Sequence, residues 1–439
     1  MIFFRLPIPV LIAAFCFPLS AAGKYRGKHR LIIWSIDGFA AGYFEKEEFK
    51  NSAVWQRLLK QARVFKPVET TIPAVTYPAH TAMVTGVDPA RHHIHSNHPI
   101  DPWGASKDGW TWFSEDVATP TLWDTAAKRG KSVANLQWPV TMMSGSKIRY
   151  HIPQFDRAKG PEEQKLMRVL STPGLHREIE KHTGVSLTEH SGDDERIKAA
   201  RYVWQKKKPD LMLLYNPGLD SIEHAHGPYS AAAFMHLELL GKEIEKFLAE
   251  IRKSSPHDQV RVLLVSDHGF MTYKGKCYPN VILKSMGYIN PERQQWTYYF
   301  ETAGGVARLI GKPGAAPFAA KTFAERLSAA CAGIDVITEY DEEYEALSRR
   351  YAKAAPAFLV SRGDVLMSAS FRNGEFEAKA AGHTHGFLPD RSDMHTVALL
   401  FGAERAKAMK ITHVKHTYNI ACSWLNLQCP ETRPKRKKR

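Results

Sequence analysis

Cysteine is scarce in this sequence, with five among 439 residues and no CxxC pair, which excludes a thiolate zinc knuckle. No internal repeat and no long Gly/Ser-rich or Pro-rich linker is present, so neither a repeat array nor a string of tethered modules is expected. Long apolar runs are missing as well. The stretch "MIFFRLPIPVLIAAFCFPLSAAGK" is short for a bilayer and is broken by Pro7, Pro9 and Pro18.

That stretch places Arg5 ahead of the apolar residues and ends in Ser20, Ala21 and Ala22, the pattern of a secretory signal over residues 1–22. An uncleaved anchor is the weaker alternative. A lipoprotein cysteine at Cys16 is disfavoured by bulky Phe15 before it. The body of the protein is expected to be periplasmic or extracellular. Removal of the signal leaves Cys277, Cys331, Cys422 and Cys429, enough for two disulfides in an oxidising compartment, with three possible connectivities.

The formal net charge is +15, and part of it sits in "RPKRKKR" at the end of the chain. Residues 431–439 are expected to form a solvated, disordered tail with at most weak contact to an anionic surface. No specific nucleic-acid partner is expected. A chain of this length can bury a substantial core, as one large domain with insertions or as two domains.

Three short apolar runs read as buried strands that lead into an aspartate: "RLIIWSID" to Asp37, "DLMLLYNPGLD" to Asp220 and "RVLLVSDHG" to Asp267. Helical periodicity covers 51–63, 194–207 and 230–253. Strands alternating with helices predict an α/β fold with a mostly parallel central sheet covered on both faces. Ligands in such sheets bind beyond the carboxyl ends of the strands, so the three aspartates are expected on one rim. A single aspartate there is commonly a cap or turn residue. Two of these, however, come with histidines: Asp220 with His224, and Asp267 with His268 followed by Gly269. "AAGHTHGFLP" adds His383 and His385 in an expected loop. Mixed carboxylate and imidazole ligands suit zinc, and Mn or Fe also accept them.

In "VTYPAHTAMVTG", Thr76 precedes Tyr77 and Pro78 at an expected helix start. The residue types alone fit a capping threonine, and equally a hydroxyl beside a dipole that attracts phosphate.

Taken together, "SIDGF", "TYPAHTAMVTGVDPARHHIHSN", "DSIEHAHGP", "SDHGF" and "THGF" occur in an order that resembles the nucleotide pyrophosphatase/phosphodiesterase family of the alkaline phosphatase superfamily, over about 29–290 and 381–428. The resemblance implies an alkaline-phosphatase-like catalytic domain over residues 23–430. It also implies Thr76 as nucleophile, with Asp37, Asp267 and His268 around one zinc and Asp220, His224 and His385 around a second. His385 is preferred to His383 because Gly386 and Phe387 follow it. Asn97 matches the family asparagine that donates to a phosphoryl oxygen. Residues 291–380 interrupt the motifs and are expected to form a small α+β insertion subdomain, with 141–195 as a further excursion.

The function so implied is hydrolysis of phosphodiester or pyrophosphate bonds of a small nucleotide substrate, through phosphothreonine and two zinc ions. Phosphomonoesterase, phospholipid head-group phosphodiesterase, phosphonate hydrolase and sulfatase are alternatives on the same metal site, and a catalytically silent binding protein is a more distant one. Tyr77 stands where nucleotide-cleaving relatives carry phenylalanine, which makes it the expected base-stacking residue; a packing role is the alternative. Lys147 and Arg149 in "SGSKIRYHIPQF" are candidate contacts to a terminal phosphate.

Overall fold

The computed structural model describes residues 27–430 except 106–108, 156–159, 189, 378–379 and 403–408. The expected signal and the basic tail lie outside the described residues.

Seven strands form the central sheet: β1 (His29–Ile36), β2 (Ala62–Val68), β3 (Val133–Leu136), β4 (Tyr150–Ile152), β5 (Leu211–Asn216), β6 (Gln259–Val265) and β7 (Thr396–Phe401). Their order is β2-β7-β6-β1-β5-β3-β4. The run from β6 to β4 is parallel, and β7 is antiparallel to both β6 and β2. Central strands of such a sheet are buried on both faces and so carry unbroken apolar sequence. In β1, Ile32, Trp34 and Ile36 join one core, while Leu31 and Ile33 join the core on the opposite face.

The first core is closed by helices Ala53–Gln61, Asp193–Lys207 and Ala231–Ser254. Each lies within one or two residues of its sequence-derived span. The opposite core takes Met83 and Val84 from helix Thr76–Thr85, together with helices Leu122–Lys128 and His416–Trp424. Helix Thr76–Thr85 is buried at every position, and Thr81 and Thr85 satisfy their hydroxyls on the carbonyls of Tyr77 and Thr81, at 2.7 Å each.

Two sequence-derived spans change. The strand expected to reach Asp220 stops at Asn216, and Asp220 lies on helix Gly218–His226. The stretch 141–195 is only partly an excursion, because it supplies edge strand β4 before helices Pro161–Val169 and Leu175–Thr183.

A second sheet of four antiparallel strands is built from Tyr298–Ala303, Val306–Gly311, Ile334–Ile337 and Phe358–Ser361, with its own apolar cluster. Cys277 pairs with Cys331, and Cys422 with Cys429. No described helix is long and apolar enough to cross a membrane.

Candidate metal and nucleophile site

Six side chains meet at the carboxyl end of β1 and β6. Asp37 follows β1 directly. Asp267 and His268 follow β6, and the Gly38 amide donates to Asp267 Oδ1 at 3.2 Å, tying the two strand ends together. Gly269 is required for a reason other than loop freedom: a Cβ there would lie 1.9 Å from the Asp393 carbonyl oxygen.

Asp220 and His224 stand one turn apart on helix Gly218–His226. His385 follows the short strand Gly382–Thr384, which pairs antiparallel with Met271–Tyr273, the segment after His268. The same ladder therefore sets both histidines, whose rings stack at 3.7 Å. From outside, the hairpin turn at Gly304 presses on His385, and a Cβ on Gly304, where φ is +73°, would reach 2.1 Å from the His385 carbonyl. His383, expected in a loop, belongs to the ladder and stays out of the cluster. Its Nδ1 meets Thr272 Oγ1 at 3.0 Å.

Two groups result: Asp37, Asp267 and His268, and Asp220, His224 and His385. Within each, one ligand atom per residue lies within 4.8 Å of the others. His268 Nε2 is 3.2 Å from Asp37 Oδ1 and 3.2 Å from Asp267 Oδ2. Asp220 Oδ1 is 3.5 Å from His224 Nε2 and 3.6 Å from His385 Nε2.

The tautomers follow from the partners at Nδ1. His224, His268 and His385 meet the carbonyls of His383, Gly269 and Ala74 at 3.0, 3.1 and 3.2 Å. A carbonyl only accepts, so each Nδ1 carries the hydrogen and each Nε2 turns a lone pair toward the carboxylates. Asp37 Oδ1, Asp220 Oδ1 and Asp267 Oδ2 are buried without a hydrogen-bond donor.

Lone pairs thus face lone pairs in a buried site. Burial, then mutual repulsion, holds the carboxyls of Asp37, Asp220 and Asp267 well above the ordinary range. Burial pushes His385 down to about 3 and also lowers His268 and His224. Divalent cations fit this donor set, since they would satisfy the orphaned oxygens and bare nitrogens together, and imidazoles oriented by backbone carbonyls are a common device of metal sites.

Thr76 is the first residue of its helix. Val75 is the N-cap and offers no side-chain cap, so the threonine hydroxyl does not cap the helix. Its Oγ1 lies 3.4 Å from His268 Nε2, at the edge of the first group. It opens on a cleft of about 520 Å³ whose walls include Trp110, Gln154 and Arg196. Asn97 Oδ1 accepts the Tyr77 amide at 2.9 Å, which sets the asparagine beside the start of the Thr76–Thr85 helix.

Tyr77 does not reach the cleft. It is fully buried against Ile94 and Val140, its hydroxyl is 2.9 Å from Gln154 Oε1, and Trp110 covers its ring at 5.2 Å. Trp110 is therefore the aromatic group exposed to a ligand. Lys147 is 2.6 Å from Asp124 and the Arg149 guanidinium lies over Tyr150; neither lines this cleft.

Sequence reasoning missed two further buried partners. Tyr215 donates to Asp37 Oδ2 at 2.5 Å. Glu223, three residues after Asp220, accepts from Tyr43 at 2.6 Å while its other oxygen has no donor. The spacing of Glu223 within "DSIEHAHGP" was the only available signal.

Comparison with known proteins places the chain in a family. An uncharacterised pyrophosphatase/phosphodiesterase of Schizosaccharomyces pombe is 23% identical over 286 residues, 60% of this chain and 51% of that protein. Venom phosphodiesterase 2 of Crotalus adamanteus is 23% identical over 54% of this chain and 26% of its own length. Human ectonucleotide pyrophosphatase/phosphodiesterase family member 1 is 23% identical over 57% and 24%. The chain thus spans about half the length of the first relative and about a quarter of the others.

Murine ectonucleotide pyrophosphatase/phosphodiesterase 5, solved with AMP as an inactive threonine-to-alanine variant, superposes with a TM-score of 0.66. It shares 18% identity, covering 92% of this chain and 97% of that one. The fold is the alkaline-phosphatase-like one. The family model for type I phosphodiesterase/nucleotide pyrophosphatase matches residues 31–387, most of the chain, which therefore belongs to that family.

Proposed function

We propose that the protein hydrolyses phosphodiester or pyrophosphate bonds of nucleotides through a covalent phosphothreonine at Thr76, with two zinc ions. Asp37, Thr76, Asp267 and His268 would hold one ion, and Asp220, His224 and His385 the other. The observation that carries this reading is the set of three orphaned carboxylate oxygens facing three bare imidazole nitrogens beside a threonine hydroxyl. When bound there, two divalent cations supply the positive charge that favours an ionised hydroxyl and offsets charge on phosphoryl oxygens.

The chain's own groups orient the reaction. Thr76 stands at the positive end of a ten-residue helix, where a phosphate is favoured. Its oxygen attacks phosphorus as the bond to the leaving alcohol or nucleotide breaks, and water then cleaves the phosphothreonine and restores the hydroxyl. Asn97, anchored through Oδ1 on the Tyr77 amide, keeps its amide hydrogens for a non-bridging oxygen.

The retained substituent lies in the cleft against Trp110. A nucleotide is supported by the AMP complex of the murine relative. The two disulfides support an exported location.

The test is mass spectrometry of protein quenched during turnover of bis(4-nitrophenyl) phosphate or a dinucleotide. A phosphoryl group still carrying its retained substituent, 4-nitrophenyl or nucleoside, is expected on the peptide carrying Thr76, and a quenched, active protein without it would sink the covalent route.

A further inference from the structure

One residue of the nucleophile helix is so far without a role. His80 is fully buried one turn after Thr76. Its Nδ1 lies 2.8 Å from the Thr76 carbonyl oxygen, and its Nε2 lies 2.8 Å from Ser35 Oγ on β1. The carbonyl cannot donate, so Nδ1 carries the hydrogen and Nε2 accepts from the Ser35 hydroxyl. The ring is wedged edge-on between Trp138 and Tyr215, with centroids at 4.9 and 5.0 Å.

The peptide group between Thr76 and Tyr77 is consequently held at both ends. Its carbonyl accepts from His80, and its N–H donates to Asn97 Oδ1 at 2.9 Å. That group carries the threonine on one side and fixes the asparagine on the other, so its orientation sets the distance between the attacking hydroxyl and the Asn97 amide. Two neighbours link His80 to the first metal group. Its Nδ1 is 3.5 Å from Asp267 Oδ2, and Tyr215, against which it packs, donates to Asp37.

A purely structural histidine in an apolar core needs its two nitrogens satisfied, but it does not need them satisfied by the peptide of a nucleophile. From this placement we infer that His80 is a positioning residue: it clamps the Thr76–Tyr77 peptide so that Thr76 and Asn97 engage the same phosphoryl group in register with Asp267. The inference rests on the phosphothreonine reading given above. It assigns His80 no contact with substrate.

The experiment uses the full-length, zinc-supplemented protein with bis(4-nitrophenyl) phosphate, and compares wild type with H80A, H80N, N97A and H80A/N97A. In H80A, kcat is expected to fall about 10–100-fold, the range typical of residues that orient a reacting shell, with KM and zinc content little changed. Hydrogen exchange at the Tyr77 amide should accelerate in H80A, a readout independent of turnover. H80N, whose side-chain N–H stands near the position of Nδ1–H, should recover most of both properties. H80A/N97A should be no slower than the slower single variant, because both residues hold one peptide.

Three results each overturn the inference: an H80A rate within about twofold of wild type, losses that multiply in the double variant, or zinc loss proportional to the loss of rate. If H80A does not fold, H80N against H80Q decides. H80Q carries its N–H farther out, toward Ser35, and equal rates for the two count against the clamp. An inert wild type would refute the proposed activity instead, and the exchange measurement would still judge His80.

Discussion

Stripping metal from this protein should destabilise it by an amount set by the orphaned oxygens, and should do so more at high pH than at low pH. Asp37 Oδ1, Asp220 Oδ1 and Asp267 Oδ2 are buried without donors. A buried unsatisfied acceptor costs about 1–3 kcal/mol, so the three together cost about 3–9 kcal/mol when no cation is bound. Independently, zinc at a hundredfold excess over its Kd contributes about 2.7 kcal/mol per site, or about 5 kcal/mol for two. With an unfolding entropy of about 2.1 cal/mol/K per residue, the chain's unfolding entropy is roughly 0.9 kcal/mol/K, and the expected loss is about 3–10 °C in Tm.

The sign with pH follows from the three carboxyls, whose pKa values burial and repulsion raise in the folded chain. In metal-free protein their stabilising contribution is fully present below the ordinary carboxyl pKa of about 4, and it is lost as pH rises through the raised values. Protons also compete with a cation for the oxygens of these raised carboxyls at low pH, which weakens metal binding there. The assay is differential scanning fluorimetry of chelator-treated protein, with and without zinc, at about pH 5.5 and about pH 8. The zinc-dependent gain should be larger at the higher pH. An equal gain at both values, or a larger one in acid, would refute the electrostatic reasoning.

Other consequences are simpler. T76A should lose at least about 10³-fold in kcat while keeping its zinc, as for removal of a covalent nucleophile; steady-state rates and metal analysis check both halves. W110A should raise KM roughly tenfold, because Trp110 lines the cleft, and should also lower stability through packing lost over Tyr77. Y77F, by contrast, should cost about 1 kcal/mol in urea unfolding through its lost hydroxyl contact to Gln154 and leave KM nearly unchanged. C277S/C331S should lose about 2–5 kcal/mol by removing the bridge between residues 277 and 331.

The parts of the site that were legible in sequence are those fixed by local rules. Asp37 and Asp267 end apolar runs that become β1 and β6, and period and burial suffice to place them on one rim. Asp220 was legible as a site residue but not as a helical one, since the apolar pattern of β5 runs on through Leu219 while the helix already begins at Gly218.

Histidine choice was harder. His383 and His385 are two residues apart, and only the ladder with Met271–Tyr273 sends one to Thr272 and leaves the other stacked on His268. The burial of Tyr77 depends on Ile94, Trp110 and Val140, which meet it only in the fold. His80 carried no periodic signal, because its helix is buried all round and every position looks alike from the sequence. Disulfide connectivity was open for the same reason, resting on which cysteines the second sheet and the last helix bring together.

The most direct measurement is anomalous diffraction at the zinc edge from crystals grown with zinc. Two peaks are predicted, one enclosed by Asp37, Asp267 and His268 with Thr76 Oγ1 adjoining it, the other by Asp220, His224 and His385. A single peak, or density centred away from these six side chains, would contradict the account.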